Sequence, residues 1–359
     1  VLRAVIMAGG SGTRFWPQSR RKLPKQFLTF HGHRSLLQQA FDRIVDLVGI
    51  DGMLVVTNCQ QVDKTREQLP ALTWDHIIGE PCGRDTAACI GLAAALLVFA
   101  DPNARMIVLA ADHLIDPTPA FHAAVRVADD LVLELPEALV TFGIRPTRPA
   151  TGYGYLKRGP AVVPRGAAGV FKLESFHEKP SQEKAHAYLE SGEYYWNSGI
   201  FCWRADAILA ELERRAPQLS AAVGRIADSW YNPRRDAVFA EEYQALQKVS
   251  IDYAVMEQAA NVYMVEAPFQ WDDVGSWLAL ERVFPLREGN NVILGNHRGL
   301  KTRNCVIVGE ERHLVATIGI DDLIVVHTPD VTFVAHKSDE QTVKQLLAEL
   351  EAQGLIQYL

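Results

Sequence analysis

The sequence predicts an α/β protein: a Rossmann-like, mixed and mostly parallel sheet followed by a small β-rich module. Three observations carry that prediction. Short apolar runs alternate with helical patterns through the first half of the chain, the rhythm of parallel strands joined by helices. The first run, Ala4-Val5-Ile6-Met7-Ala8, opens directly into Gly9-Gly10-Ser11-Gly12-Thr13, the strand-to-loop step at which open α/β sheets take their ligands. Beyond about Leu286, short β-prone runs recur between turns. A boundary is expected there, with a large domain over 1–285 and a β-rich domain over 286–359. At 359 residues, 48% hydrophobic and 22% charged, the chain can fill both cores.

Taken in order, the elements follow from local signals. Ser35 and Gln38 read as a capping box opening a helix whose apolar face is Leu37, Phe41, Ile44, Val45 and Val48, with Gly49 as its stop. Strands are expected at 53–57, 76–79, 106–111 and 138–142, separated by helices near 60–69, 87–100 and 120–133. From Thr151 the rhythm changes. Residues 151–155 and 170–177 read as strands, Ser181 caps a helix, and 196–203 reads as a loop running into a strand. Two or three helices lead to the segment 250–256, and a strand is expected at 262–265. The later runs at 291–294, 305–308, 314–317, 323–326 and 331–334 look like turns of a solenoid. A last helix over 338–353 carries a capping box at Ser338 and Gln341 and a core stripe of Val343, Leu346, Leu347 and Leu350.

Composition excludes several functions. A net charge of −7 leaves no surplus of cations for a phosphate polymer, so no nucleic-acid partner is expected. The longest apolar run, 87–100, stops at Asp101 and is too short to cross a bilayer, so no membrane partner is expected. Five cysteines (59, 82, 89, 202, 305) are odd in number and form no C-x-x-C pair. Neither a zinc site nor a disulfide framework follows. With no signal-peptide pattern at the start, a reducing cytoplasm is the expected location.

The chemistry starts at the glycine-rich loop. Glycines let backbone N–H groups approach an anion, and this loop delivers Arg14, Arg20, Arg21, Lys22 and Lys25, stiffened by Pro17 and Pro24. It is not a Walker loop, and it lacks the third glycine of a dinucleotide fingerprint. Arg14 stands where a dehydrogenase loop would turn into its helix, which suits a polyphosphate whose charge changes during reaction. Asp112 ends the strongest strand, a natural position for a Mg²⁺ ligand beside phosphates. Asp272 and Asp273 follow Trp271; either completes a metal site while the other caps the helix expected after Gly275. Glu178-Lys179 offers an acceptor and a cation for a sugar phosphate, and Asn197 and Tyr153 are candidates for sugar hydroxyls.

These residues closely resemble the signature of the sugar-1-phosphate nucleotidyltransferases, and more narrowly of the mannose-1-phosphate guanylyltransferases. The resemblance rests on Gly9-Gly10-Ser11-Gly12-Thr13-Arg14, Pro17, Ser19-Arg20 and Pro24-Lys25-Gln26-Phe27. Further blocks agree in order: Glu80-Pro81-x-Gly83-Arg84, Ala111-Asp112-His113, Thr151-Gly152-Tyr153-Gly154-Tyr155, Phe176-x-Glu178-Lys179-Pro180 and Asn197-Ser198-Gly199-Ile200-Phe201. Ser250-Ile251-Asp252-Tyr253 and Trp271-x-Asp273-Val274-Gly275-Ser276-Trp277 complete a set that covers nearly the whole chain.

The resemblance implies a nucleotide-diphospho-sugar transferase fold in which mannose 1-phosphate attacks the α-phosphorus of GTP, giving GDP-mannose and pyrophosphate. Arg14, Lys25 and Lys179 become catalytic cations. Ala8, Gly9, Gly10, Gly12, Thr13, Glu80, Gly83, Arg84 and Thr86 become the nucleotide site, and Gly152, Tyr153, Glu178 and Asn197 the sugar site. Asp112 and Asp273 become the Mg²⁺ ligands. Relatives carry a left-handed β-helix-like C-terminal module that helps form dimers, so a homodimer is in keeping. Many also carry an isomerase domain; the chain ends after the β-rich module, so a single activity is expected. One departure is Asp85, where the family usually has Asn. The competing readings are transfer to another sugar 1-phosphate, such as a heptose, and a silent sugar-nucleotide-binding subunit. The second predicts loss of loop cations or metal carboxylates, yet Arg14, Lys25, Asp112 and Asp273 are all present. A metal-dependent glycosyltransferase would need a D-x-D at a strand end, which is not found.

Overall fold

The alternating apolar runs form one nine-stranded sheet in this computed structural model, which describes residues 1–10, 12–30, 32–165 and 168–359. Its strands are β1 (Leu2–Ala8), β2 (Met53–Asn58), β3 (Ile77–Glu80), β4 (Arg105–Ala110), β5 (Leu139–Ile144), β6 (Tyr155–Arg165), β7 (Ala168–His177), β8 (Tyr194–Arg204) and β9 (Val262–Glu266). They lie in the order β3-β2-β1-β4-β8-β5-β9-β7-β6. β1 pairs in parallel with β2 and β4, β2 with β3, and β5 with β9. β8 runs against β4, β5 and β6, and β7 against β9 and β6. Seven of the nine strands therefore point the same way, so the sheet is mixed but mostly parallel.

Burial explains why the central strands read as unbroken apolar runs. Ala4, Val5 and Ile6 of β1 and every residue of β5 are buried, as expected of strands covered on both faces. The apolar run after Thr86 is the helix Asp85–Ala100, buried continuously from Ala87 to Ala95. A Cβ added to Gly91 would stand 3.0–3.1 Å from Leu219 and Leu212, side chains of the helices Pro217–Asp228 and Ala205–Arg215. No helix among the described residues is long and apolar enough to cross a membrane.

The chain divides into two units and passes between them five times. The first comprises Val1–Gly9, Ala40–Ala111 and Ile115–Trp271, and holds the large sheet with its helices. The second comprises Gly10–Gln39, Asp112–Leu114 and Asp272–Leu359. In it, the short strands β10 (Val292–Leu294), β12 (Val306–Val308) and β14 (Leu323–His327) stack in parallel. β11 (His297–Leu300) lies parallel to β13 (Val315–Ile318), and β15 (Thr332–His336) closes antiparallel on β14. This is the expected solenoid, and its inward residues Val292, Val306, Val308, Ile324 and Val326 share one core with Phe15, Trp16, Leu28 and Phe30 of the glycine-rich segment.

Several local expectations are met and several are corrected. Gln38 N–H donates to Ser35 Oγ (3.2 Å) and Ser35 N–H to Gln38 Oε1 (3.0 Å), a complete capping box for the helix Leu36–Val48. Residues 151–154 are a bend and not a strand; β6 begins only at Tyr155. The whole of 196–203 lies in β8, because its polar start pairs with β5 and β6. β11 escaped the pattern reading because His297-Arg298-Gly299-Leu300 is polar, glycine-containing and mostly exposed. The box expected at Ser338 does not form. There the His336 ring accepts from the Ser338 N–H (3.3 Å), Lys337–Thr342 is a 3-10 turn, and the α-helix spans Val343–Ala352. Its stripe of Val343, Leu346, Leu347 and Leu350 packs on the solenoid core as expected.

Candidate active site

In the second unit the glycine-rich segment is folded around Lys25. Gly12 has φ +57°, and a Cβ there would collide with the Lys25 side chain and stand 2.7 Å from its backbone nitrogen, so only glycine fits. Its carbonyl accepts from Ser19 Oγ (2.7 Å) and Phe15 N–H (3.2 Å), which closes the loop into a tight arc. Lys25 is only 6% exposed; its ammonium donates to Asp112 Oδ2 (2.9 Å) and to the Asp273 carbonyl (2.6 Å). One cation thus gathers the ends of two distant segments. Burial alone would favour the neutral form of Asp112, but the Lys25 charge and His113 outweigh it and hold its carboxyl below the usual range.

The adjacent aspartates are told apart by their partners. Asp272 accepts two bonds from the Arg282 guanidinium (2.6 and 3.0 Å) and one from the Val274 N–H (2.7 Å). It is committed to holding the turn. That turn forces Val274, a buried β-branched residue, to φ +43°, a strained conformation that only strong local bonding sustains. Asp273 Oδ2 faces Gly275, where Arg14 Nη1 also points: the two atoms lie 2.9 and 3.4 Å from where a Cβ of Gly275 would stand. Arg14 itself is exposed.

In the first unit two clusters form. At the end of β3, Glu80 is buried, with Oε1 accepting from the Tyr243 hydroxyl and Oε2 lying against Gly9. Burial pushes its carboxyl up to about 7, against the pull of Tyr243 and with help from the Asp85 charge. Arg84 donates to the carbonyls of Tyr243 (3.2 Å) and Gln244, so it fastens this segment to the end of the helix Arg235–Ala245. Thr86 Oγ1 accepts from the Ile251 N–H (2.8 Å). Asp85 adopts φ +66°, a region that Asn and Asp enter at least cost. The departure from the family's Asn therefore preserves the backbone while adding a charge. Ala8 at the end of β1 accepts from Thr57 Oγ1 (3.0 Å), and Gly83 has open space on its Cα.

The second cluster surrounds Glu178. Asn197 is fixed from both sides: its Oδ1 accepts from Thr141 Oγ1 (2.8 Å) and its Nδ2 donates to Asp252 Oδ1 (2.9 Å). A register shift between Thr141 and Gly143, with Gly199 at φ +68°, marks the bulge that aims Asn197. Glu178 pairs with Lys179 (3.2 Å), its N–H donates to Glu257 Oε1 (2.9 Å), and a Cβ on Gly154 would collide with its Oε2. Burial raises Glu178, with Lys179 opposing. Burial, then the Glu178 charge, raise Asp252 to about 7. Lys179 is exposed and held at φ +46°, directly before Pro180. Gly152 is open, whereas Tyr153 is packed edge-on to Trp196 and Trp271, with its hydroxyl accepting from Arg148 (3.2 Å).

Thirteen of the eighteen expected site residues thus fall into three groups: Gly12, Arg14, Lys25, Asp112 and Asp273; Ala8, Gly9, Glu80, Arg84 and Thr86; and Glu178, Lys179 and Asn197. Asp252, Tyr243 and Thr141 were not singled out. Asp252 was visible only as part of the block Ser250-Ile251-Asp252-Tyr253; its single turn of π-helix, Asp252–Met256, has no pattern of its own in sequence. Among the described residues, no three His, Cys, Asp or Glu side chains gather as a metal cage. Two carboxylates suit a metal that takes its remaining ligands from water and phosphate.

An open sheet whose first strand leads into a lysine-centred, glycine-rich loop, with the Asp112 carboxylate held ionised by that lysine, has the make-up of a phosphate-handling α/β protein. The model of the nucleotidyl transferase family matches residues 3–288, that of the MannoseP isomerase/GMP-like beta-helix domain matches 295–350, and the chain belongs to the nucleotidyl transferase family. Among its relatives is the mannose-1-phosphate guanylyltransferase of Klebsiella pneumoniae, 40% identical over 361 residues, which cover 100% of this chain and 76% of that protein. The alginate biosynthesis protein AlgA of Pseudomonas aeruginosa is 36% identical over 354 residues, 98% of this chain and 72% of that one. The crystal structure of mannose-1-phosphate geranyltransferase from Thermus thermophilus superposes with a TM-score of 0.87 at 35% identity, covering 98% of this chain and 99% of that one. Nucleotidyltransferases of this kind generally use a divalent metal.

Proposed function

We propose that this chain transfers GMP from GTP to mannose 1-phosphate, releasing pyrophosphate and GDP-mannose. The observation that carries the substrate assignment is the 40% identity, over the whole chain, to proteins named for that reaction. The reaction class is supported independently by Lys25, which holds Asp112 ionised and fixes the Asp273 backbone beside a glycine-rich arc.

In this reading a phosphate oxygen of mannose 1-phosphate bonds to the α-phosphorus of GTP. The bond from that phosphorus to the α,β-bridging oxygen breaks, and its electron pair leaves with pyrophosphate. No covalent enzyme intermediate is required; the protein positions two anions and offsets their repulsion. Gly10, Gly12, Thr13 and Arg14 receive the triphosphate, together with Lys25. Asp112 and Asp273 would hold Mg²⁺, which when bound neutralises phosphate charge. Glu80, Gly83 and Thr86 face the base and ribose, with Ala8 and Gly9 beside them and Arg84 holding their segment in place. Lys179 meets the sugar phosphate, while Glu178, Asn197 and the Gly152–Tyr153 turn meet the sugar. Five free thiols and substrates of this class fit a cytoplasmic setting.

The test is pyrophosphate release over a matrix of nucleoside triphosphates and sugar 1-phosphates, with and without Mg²⁺. Turnover is expected with GTP and mannose 1-phosphate and only with the metal. Good turnover with another pair, and none with this one, would overturn the assignment.

A further inference from the structure

Arg20 belongs to the anion segment, yet its guanidinium does none of the work expected of an anion-binding cation. It is 15% exposed and spends its donors on protein oxygens: Nε on the Pro17 carbonyl (2.5 Å), Nη1 on the Tyr358 carbonyl (2.9 Å) and Nη2 on the Asp330 carboxylate (2.9 Å). All of these lie in the second unit. The Trp16 indole donates to the same Tyr358 carbonyl (2.6 Å), its ring meets Phe333 edge-on at 5.6 Å, and its backbone carbonyl accepts from the Trp277 indole (3.1 Å).

We propose that Arg20 is a positioning residue that fastens the anion arc to the β-solenoid and its C-terminal turn, so that those C-terminal residues set the geometry of Gly12 and Lys25. The linkage is short. Ser19, the residue before it, bonds the Gly12 carbonyl through Oγ and the Phe15 carbonyl through N–H (2.9 Å). Arg20 and Leu23 exchange backbone bonds (2.9 and 3.0 Å), which sets the turn leading to Lys25. A planar fork with three acceptors in fixed directions cannot be replaced by a single flexible ammonium. Displacement of such a support by about an ångström is enough to cost ~10²-fold in a reaction that depends on alignment.

The inference rests on the proposed transfer reaction, and the experiment separates the two. Wild type, Arg20→Ala, Arg20→Lys, Asp330→Ala and the double variant Arg20→Ala/Asp330→Ala are compared by steady-state pyrophosphate release and by thermal unfolding. If wild type fails to turn over, the reaction is wrong. If it turns over, Arg20→Ala is expected to lose about 10- to 100-fold in kcat with a raised KM for GTP. Its KM for mannose 1-phosphate stays within about twofold, because no sugar-site residue proposed above lies in the second unit. Added guanidinium at low concentration should restore part of the Arg20→Ala rate and leave wild type unchanged. Arg20→Lys should recover only part, and the double variant should be no worse than Arg20→Ala alone. Normal kcat and KM for GTP in Arg20→Ala would overturn the proposal, as would an equal loss towards both substrates without guanidinium rescue. Should Arg20→Ala not fold, Arg20→Lys and Asp330→Ala carry the same comparison.

Discussion

Lys25 shows how one side chain acquires a role from its surroundings. Nearly buried, it is tolerated because two oxygens from distant segments accept hydrogen bonds from its ammonium. Lys25→Ala should therefore lose at least ~10²-fold in kcat/KM, the scale of removing one preorganised charge-stabilising group, whereas Lys22→Ala should stay within about threefold; the reverse ranking in steady-state assays would mean the wrong cation was chosen. The paired aspartates give a sharper contrast. Asp273→Ala should lose at least ~10²-fold in turnover with little change in unfolding. Asp272→Ala should instead lower stability by about 2 kcal/mol in denaturant titration, a value moderated by the one-third exposure of Arg282. Equal kinetic losses in both would remove that distinction. Sequence could not have made it from chemistry alone, since two neighbouring aspartates are identical until Arg282 is seen to claim one of them.

Elements were legible wherever periodicity was strong and local bonding agreed with it. The Ser35 box and the strands β1, β2 and β4 fall within one or two residues of expectation, because apolar runs buried on both faces have few alternatives. What stayed hidden is non-local: the bulge in β8 opposite Gly143, and the π-turn that carries Asp252 next to Asn197. That turn also predicts a pH effect. Asp252 is raised to about 7 in the folded protein by burial and the Glu178 charge, against roughly 4 for a free carboxyl. Between those values the folded chain binds more protons than the unfolded one, so this group's contribution to stability falls as pH rises from about 4 to 7 and is constant above. Asp252→Asn removes that dependence. Its stability relative to wild type should rise from pH 5 to about pH 7 and level off by pH 8 in chemical denaturation, and a constant difference from pH 5 to pH 7 would show that Asp252 does not titrate there.

At the scale of the molecule, the glycine-rich segment is covalently the continuation of β1 but shares its core with residues far along the chain. Linear composition marks where the β-rich run begins; it cannot reveal that Phe15, Trp16 and Phe30 pack with Trp277 and the solenoid valines, because those pairs are separated by more than two hundred residues. Trp277 is the keystone of that core. It is fully buried, meets Phe15 at 4.9 Å and Phe30 at 6.4 Å, and donates its indole N–H to the Trp16 carbonyl. Trp277→Ala should cost about 3–5 kcal/mol through the cavity and the lost packing, with the orphaned Trp16 carbonyl adding to it. Trp277→Phe keeps much of the ring packing and loses the hydrogen bond, so a cost of about 1–2 kcal/mol is expected. If both variants lie within about 0.5 kcal/mol of wild type by urea unfolding, following the second unit with a local probe, the anion arc does not depend on this core. A large cost for Ala and a small one for Phe would mean that packing, more than the single bond to Trp16, holds the arc.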